Sequence, residues 1–306
     1  MPTNELSKIT RTTESVGFPD TVLIDNLNAC NLQCSMCDHK NMKDYRKVQR
    51  MDWGLYTKII DEIAVEKPEA TIYQIFFGEP FLCVDMPERI RYAKDKGLKR
   101  VVLNTNGVFM TYDKAEAVIR AGLDEIYVGI DAFTPETYRK VRIGGDYGKV
   151  VGNVLAYRDL LFEIGRRSQK IYVQFVESDL NENEIDDFKK AWNEQLVSVK
   201  VRPKVSWGGL IGATNLSEND GNRKPCYWLM RTINICADGS VAFCSCDIHC
   251  RVKCGDVNKQ SIKEIWNGQL AAYRTMHKEH RFGELPEMCR DCMDWQSTYS
   301  EMAEVN

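Results

Sequence analysis

Six apolar runs recur through the first two thirds of the chain, a few tens of residues apart: TVLIDNL (21–27), TIYQIFF (71–77), RVVLNTNG (100–107), EIYVGID (125–131), KIYVQFVE (170–177) and VSVKVRP (197–203). Most of the intervals carry apolar residues at helical spacing: 54–65, 86–96, 111–121, two segments within 135–163 around a glycine-rich IGGDYG, and a charged stretch at 183–195. Strands that alternate with helices predict a parallel sheet of βαβ units. The runs are apolar on both faces, as strands covered by helices on each side must be. Six units fall short of the eight that close a TIM barrel, so the pattern predicts an α/β fold built as a partial, curved (β/α)6 TIM-like barrel.

The alternation breaks at 206–225, SWGGLIGATNLSENDGNRKP, a Gly/Asn/Ser-rich connector. Beyond it only short strand signals such as INICADGSVAFC remain, among many cysteines. The expected organisation is an N-terminal extension (1–20), the barrel (21–205), the connector (206–225) and a C-terminal cysteine-rich domain (226–306).

Charge and composition exclude several roles. A formal net charge of −3 argues against nucleic acid held by bulk electrostatics. No run of about 18 apolar residues is present to span a membrane. The N-terminus, MPTNELSKITRTTESVGF, lacks the apolar centre of a signal peptide, so the expectation is a cytoplasmic chain without a membrane partner. Twelve cysteines are many for a reducing compartment, and they cluster: three at 30–37, one at 83, eight between 226 and 292. Grouped cysteines in such a chain bind metal or do chemistry more often than they form disulfides. Thiolates suit zinc or iron–sulfur clusters.

The group CNLQCSMC (30–37) holds three cysteines where a closed metal site wants four. A four-iron cluster held by Cys30, Cys34 and Cys37 would keep one iron open to a substrate or cofactor. The group follows the first strand, at the C-terminal edge of a parallel sheet, where such folds place their active sites.

Here the sequence resembles the radical S-adenosylmethionine (SAM) family, over roughly residues 20–205. Its Cys-x3-Cys-x2-Cys loop is matched by Cys30, Cys34 and Cys37, with Met36 where an aromatic is usual. The resemblance implies that the open iron binds SAM, whose reductive cleavage yields a 5′-deoxyadenosyl radical that abstracts hydrogen from a substrate. FFGEP resembles the second-strand motif whose glutamate takes the SAM amino group, implicating Gly78 and Glu79, with Phe77 where a second glycine is usual. LNTNG resembles the third-strand motif, implying that Asn104 and Asn106 meet the ribose hydroxyls. GIDAFTPETYRKVRIGG resembles a further segment of one branch, in which Asp131 ends the strand and Arg142 pairs with the SAM carboxylate; Gly129 stands where many relatives carry serine. Alone, Glu79 reads as a loop carboxylate, either asparagine as a turn residue and Arg142 as a surface cation. Their order on successive strand ends joins them.

The second cysteine group resembles the auxiliary-cluster domain of the SPASM and Twitch branches. Twelve residues separate Cys226 from Gly239, four separate Gly239 from Cys244, and Cys289 and Cys292 follow after a gap that contains GDVNKQSIKEIWNG (255–268). ADGS should turn a hairpin that brings Cys226 and Cys244 together. The resemblance implies a second [4Fe–4S] cluster on Cys226, Cys244, Cys289 and Cys292. The absence of cysteines after Cys292 favours the shorter Twitch form. Zinc on the same four thiolates is the alternative. Cys236 is expected in the hairpin core and Cys83 in a packing role. Cys246, Cys250 and Cys254 are candidate hydrogen-atom donors, and equally inert thiols or ligands in another arrangement.

The function that follows is a radical SAM epimerase or dehydrogenase acting at a carbinol carbon, with an external one-electron donor of flavodoxin or ferredoxin type. A barrel that starts near residue 21 leaves no room for a leader-binding domain ahead of it. This favours a small polar substrate such as a sugar or aminocyclitol over a ribosomal peptide, and Trp207, Asp247 and His249 are candidate pocket residues. A non-catalytic iron–sulfur electron carrier is the rival from another class, but it would have no use for Glu79 or the NTNG loop.

Overall fold

The computed structural model describes residues 14–212 and 222–297, so residues 1–13 of the extension, 213–221 of the connector and the C-terminal 298–306 lie outside the described residues. Nine strands form one sheet in the order β6-β5-β4-β3-β2-β1-β7-β8-β9. The first six are β1 (Thr21–Ile24), β2 (Thr71–Tyr73), β3 (Arg100–Thr105), β4 (Glu125–Gly129), β5 (Lys170–Glu177) and β6 (Ser198–Pro203). Each pairs in parallel with the next, and β6 ends the sheet, so the barrel stays open. Helices α1 (Trp53–Glu66), α2 (Met86–Asp95), α3 (Tyr112–Arg120), α4 (Pro135–Val141), α5 (Tyr147–Ile164) and α6 (Ile185–Glu194) lie between the strands in the chain.

Local chemistry sets the helix ends. Asp52 caps α1 by accepting from Gly54 and Leu55 N–H, and Asp146 caps α5 by accepting from Lys149 N–H. Gly165 ends α5 in the left-handed conformation that a side chain would strain. All five residues of β4, at the centre of the parallel sheet, are buried, whereas the edge strand β6 is partly exposed. Beneath the strand ends lies a buried polar chain: Asn26 Nδ2 donates to Gln74 Oε1 (2.7 Å), Gln74 Nε2 to the Tyr56 hydroxyl (2.8 Å), and that hydroxyl to Arg89 O (2.6 Å). Arg89 closes the loop by donating to Asn26 Oδ1 at 3.0 Å. Such a network fixes the loops above β1 and β2 because every break in it strands a buried polar group.

The cysteine-rich region continues the same sheet. After α7 (Tyr227–Arg231), β7 (Thr232–Ile235) pairs in parallel with β1, and β8 (Ser240–Ala242) and β9 (Lys253–Asp256) extend it antiparallel. The ADGS hairpin forms as expected. Gly239 sits at φ +88, Ser240 N–H donates to Asp238 Oδ1 (2.9 Å), and a Cβ on Gly239 would lie 2.2 Å from Asn258 Nδ2. Then come α8 (Ile262–Asn267), α9 (Gln269–Lys278) and α10 (Glu287–Arg290). Among the described residues no helix is long and apolar enough to cross a membrane.

Candidate active site

The loop after β1 carries Cys34, buried, and Cys30 and Cys37, half-buried. Backbone bonds shape it: Gln33 N–H donates to Ile143 O and Ser35 N–H to Val141 O, both at 3.0 Å, while Trp207 Nε1 donates to Met36 O at 2.8 Å. Two side chains reach the sulfurs, Asn106 Nδ2 at 3.8 Å from Cys30 Sγ and Arg142 Nη1 at 3.7 Å from Cys34 Sγ. Burial raises all three thiols, Cys37 to about 12. Each therefore keeps its proton until a metal displaces it. Gly78 makes the close approach of the FFGEP loop possible, because a Cβ there would lie 2.3 Å from Leu27 O.

Glu79 is buried, and its oxygens are already occupied: Oε1 accepts from the Thr105 hydroxyl (2.7 Å) and Phe81 N–H (3.0 Å), and Oε2 from Asn106 N–H (2.8 Å). It holds the LNTNG loop against the cysteine loop, and burial raises its carboxyl above the usual carboxylate range. Asn106 is committed to Asn31 Oδ1 (3.0 Å) and Val108 N–H (3.0 Å). Asn104 Oδ1 is a buried acceptor without a partner, the kind of group a ligand satisfies.

Asp131, at φ 58 just past β4, is buried and ion-paired with Arg142 through Nε and Nη2. It also accepts from Val176 N–H at 2.7 Å. Burial raises Asp131 against the pull of Arg142; burial lowers Arg142, but Asp131, Cys34 and Tyr138 together raise it. The expected Arg142 contact to a SAM carboxylate would fall to Nη1, the nitrogen that reaches Cys34 Sγ. A Cβ on Gly129 would lie 1.9 Å from Arg142 Nη2, so the guanidinium fills the space a serine would need.

Beside this loop lie an ion pair that the sequence did not announce, Asp25–Arg46, and the expected pocket residues His249 and Trp207. Asp25 follows β1, accepts from Phe77 N–H (3.2 Å) and pairs with Arg46 Nη2 (2.8 Å), whose Nε and Nη1 find no partner. An acidic residue in the apolar run TVLIDNL was its signal; Arg46, in a polar loop, had none. His249 Nε2 meets Asp38 Oδ2 at 2.8 Å, its ring stacks on Tyr45 at 4.1 Å, and its Nδ1 is without a partner. Burial lowers the pKa of His249 despite Asp38, favouring the neutral ring. Phe77 packs against His249 and Trp207.

The second cysteine group converges: Cys226, Cys244, Cys289 and Cys292 line one cavity, together with Cys246, Arg223, His277 and Asp294. Four thiols there fit a saturated cluster. Among the described residues, no three His, Cys, Asp or Glu side chains close around a point suited to a single metal ion. Asp294 is held by Ser206 N–H (2.6 Å), the Ser206 hydroxyl (2.9 Å) and Gly208 N–H (2.9 Å). Burial, aided by Arg223, pushes His277 down to about 4.

The three candidate donors separate. Cys246 lies in the cavity wall with the four thiols. Cys250, half-buried at φ 52, is hydrogen-bonded to buried Cys236, with the Arg46 charge in range of both. Cys254 is buried in β9 and reaches Val252 O at 3.7 Å. Asp247 accepts from Arg251 N–H (2.8 Å) and Val252 N–H (3.0 Å), which makes it a loop anchor rather than a free pocket group. Buried Cys83 donates to Asp85 Oδ1 at 3.1 Å.

Residues 27–188, more than half of the chain, match the Radical SAM superfamily, and residues 226–293 match an iron–sulfur cluster-binding domain, SPASM. A probable GTP 3′,8-cyclase of Methanococcus maripaludis is 31% identical over 159 residues, 51% of this chain and 49% of that protein. The chain spans about half the length of the curated relatives it matches. In structure it is similar to BtrN in complex with AdoMet and 2-DOIA (TM-score 0.63, 18% identity, 89% of this chain and 92% of that one). It is also similar to Streptococcus suis SuiB bound to precursor peptide SuiA (TM-score 0.71, 10% identity, 94% and 74%). At these identities the two structures report the fold.

Proposed function

The chain belongs to the radical SAM superfamily, and from that premise we propose that it takes a hydrogen atom from a carbinol carbon of a polar small molecule, a sugar or aminocyclitol, and epimerises or oxidises that carbon. Its cofactors are SAM, a four-iron cluster and an auxiliary iron–sulfur cluster. When bound, the SAM-binding cluster would supply the electron, drawn from a flavodoxin or ferredoxin type of donor, that cleaves SAM to methionine and the abstracting 5′-deoxyadenosyl radical. In this reading Cys30, Cys34 and Cys37 hold that cluster, and Cys226, Cys244, Cys289 and Cys292 hold the auxiliary one. Glu79 orders the loop that presents Asn104 and Asn106, Gly78 lets the loops approach, and Asp131 aims Arg142 Nη1 at the cysteine loop.

The observation that carries the substrate class is the polar group beside the cluster loop. Arg46 Nε and Nη1 and His249 Nδ1 are buried without partners. Buried polar atoms of this kind favour a ligand that hydrogen-bonds them over an apolar one. With Nε2 donating to Asp38, a neutral His249 offers Nδ1 to accept a substrate hydroxyl. Cys250 is the favoured donor of hydrogen to the substrate radical, because it sits beside this group while Cys246 and Cys254 do not. The thiyl left on Cys250 would take one electron from the flavodoxin or ferredoxin type of donor and a proton from solvent, and this return of hydrogen is what favours epimerisation. Oxidation is the second reading, favoured by the hydrogen-bond donors gathered on Cys289.

Reduced protein incubated in D2O with SAM and a panel of hydroxylated sugars and aminocyclitols tests this. The expected product carries solvent deuterium on carbon, and Cys250→Ala abolishes that incorporation while 5′-deoxyadenosine still forms. A ketone product without deuterium, unaffected by Cys250→Ala, replaces epimerisation with oxidation. Turnover on peptides alone, or no 5′-deoxyadenosine at all, sinks the reading.

A further inference from the structure

Cys289 is hydrogen-bonded unlike its three companions, by groups no part of the sequence reading had singled out. His277 Nε2 lies 3.3 Å from Cys289 Sγ, and Cys226 N–H donates to His277 Nδ1 at 3.3 Å. A nitrogen that accepts a backbone N–H carries no proton of its own, so the ring is the Nε2–H tautomer and its N–H is directed to sulfur. Arg223 adds a second donor, Nη2 at 3.4 Å from the same Sγ, while Nη2 also donates to Cys289 O (2.8 Å) and Nη1 to Arg290 O. Phe282 braces both, with the His277 ring centroid 5.4 Å away and the Arg223 guanidinium 4.3 Å above its face. Both polar partners, His277 and Arg223, are buried, where fixed dipoles and charges act through little screening.

We propose that His277 and Arg223 raise the reduction potential of the auxiliary cluster, so that it is the electron acceptor of the two. Adding one electron to a cluster increases the negative charge on its sulfurs, and N–H donors and a cation aimed at a sulfur stabilise that state. No proton moves in this step, because His277 keeps its Nε2 hydrogen throughout. Asp294 in the same cavity acts in the opposite direction, but its oxygens are satisfied by Ser206 and Gly208. At the first cysteine group the corresponding N–H···S distances are longer, 3.7 and 3.8 Å. The inference rests on the reading of Cys226, Cys244, Cys289 and Cys292 as cluster ligands, and is independent of the substrate.

The test is a redox titration followed by electron paramagnetic resonance on the reconstituted protein and on His277→Leu and Arg223→Gln. Each variant should lower the midpoint potential of the auxiliary cluster and leave that of the SAM-binding cluster unmoved. Iron and sulfide counts on the same samples separate the two possible failures. An auxiliary cluster absent from the unaltered protein removes the ligand reading. A full complement of iron with an unmoved auxiliary potential overturns the roles of His277 and Arg223. Should His277→Leu lose the cluster, Arg223→Gln decides, since it keeps the imidazole donor; if both lose it, the two residues are fold supports and the proposal falls.

Discussion

Arg142 and Gly129 divide one space between them, and the division shows what a single position does to the site. Without a side chain at 129, the guanidinium takes the space beside that residue, pairs with Asp131 and still reaches Cys34. A second buried carboxylate, Asp25, leads to a measurable consequence. Burial pushes it up from 3.8 to about 6, although Arg46 pulls the other way. Between those values the folded chain holds a proton that the unfolded chain has released, so this residue's contribution to stability falls as pH rises through the window and is level above it. From about pH 5 to about pH 7 the loss should be roughly 1 kcal/mol. Urea unfolding of the protein and of Asp25→Asn at those two pH values checks this: the variant should lack that loss, and an identical pH dependence would contradict the assignment.

At the scale of elements, the βα rhythm was legible almost throughout, because both-face apolar runs and helical spacing are local signals. β2 proved shorter than its apolar run, since 74–77 turn away to carry Gln74 and Phe77 into the site. β7 could not be read as a parallel partner of β1, because pairing between strands some 200 residues apart leaves no local mark. Helix α9, which delivers His277, was also missed, and with it one of the two donors on Cys289; the other, Arg223, lies just ahead of α7. The site was legible where a motif carried it: the cysteines, Glu79 and the LNTNG loop. The partners of Glu79 were not, because hydrogen bonds to Thr105 and Asn106 N–H depend on how two loops meet. One seam between elements is simple to test. Glu62 of α1 accepts from both Ile262 N–H and Lys263 N–H (2.9 Å each) at the start of α8, beside the Ser261–Glu264 capping box. Glu62→Ala should cost about 1 kcal/mol in chemical denaturation, the worth of a helix cap. No change would mean that the capping box alone suffices.

Across the whole molecule, the cysteine-rich region is bound to the barrel by specific contacts around the cluster loop. Trp207 from the connector holds Met36 O, His249 holds Asp38, and Asp294 at the auxiliary cavity holds Ser206 and Gly208. The arrangement leaves two cysteine sets, Cys30, Cys34 and Cys37 in the loop after β1 and Cys226, Cys244, Cys289 and Cys292 around a cavity that Cys246 also lines, with the Cys236–Cys250 pair in neither set. The two sets are expected to hold their clusters independently. Iron and sulfide content after anaerobic reconstitution, measured beside a triple Cys30, Cys34 and Cys37→Ala variant, tests it most directly. About eight irons per chain are expected, falling to about four in the variant. About four falling to none would contradict it, leaving 226–292 a zinc or structural module without an electron acceptor.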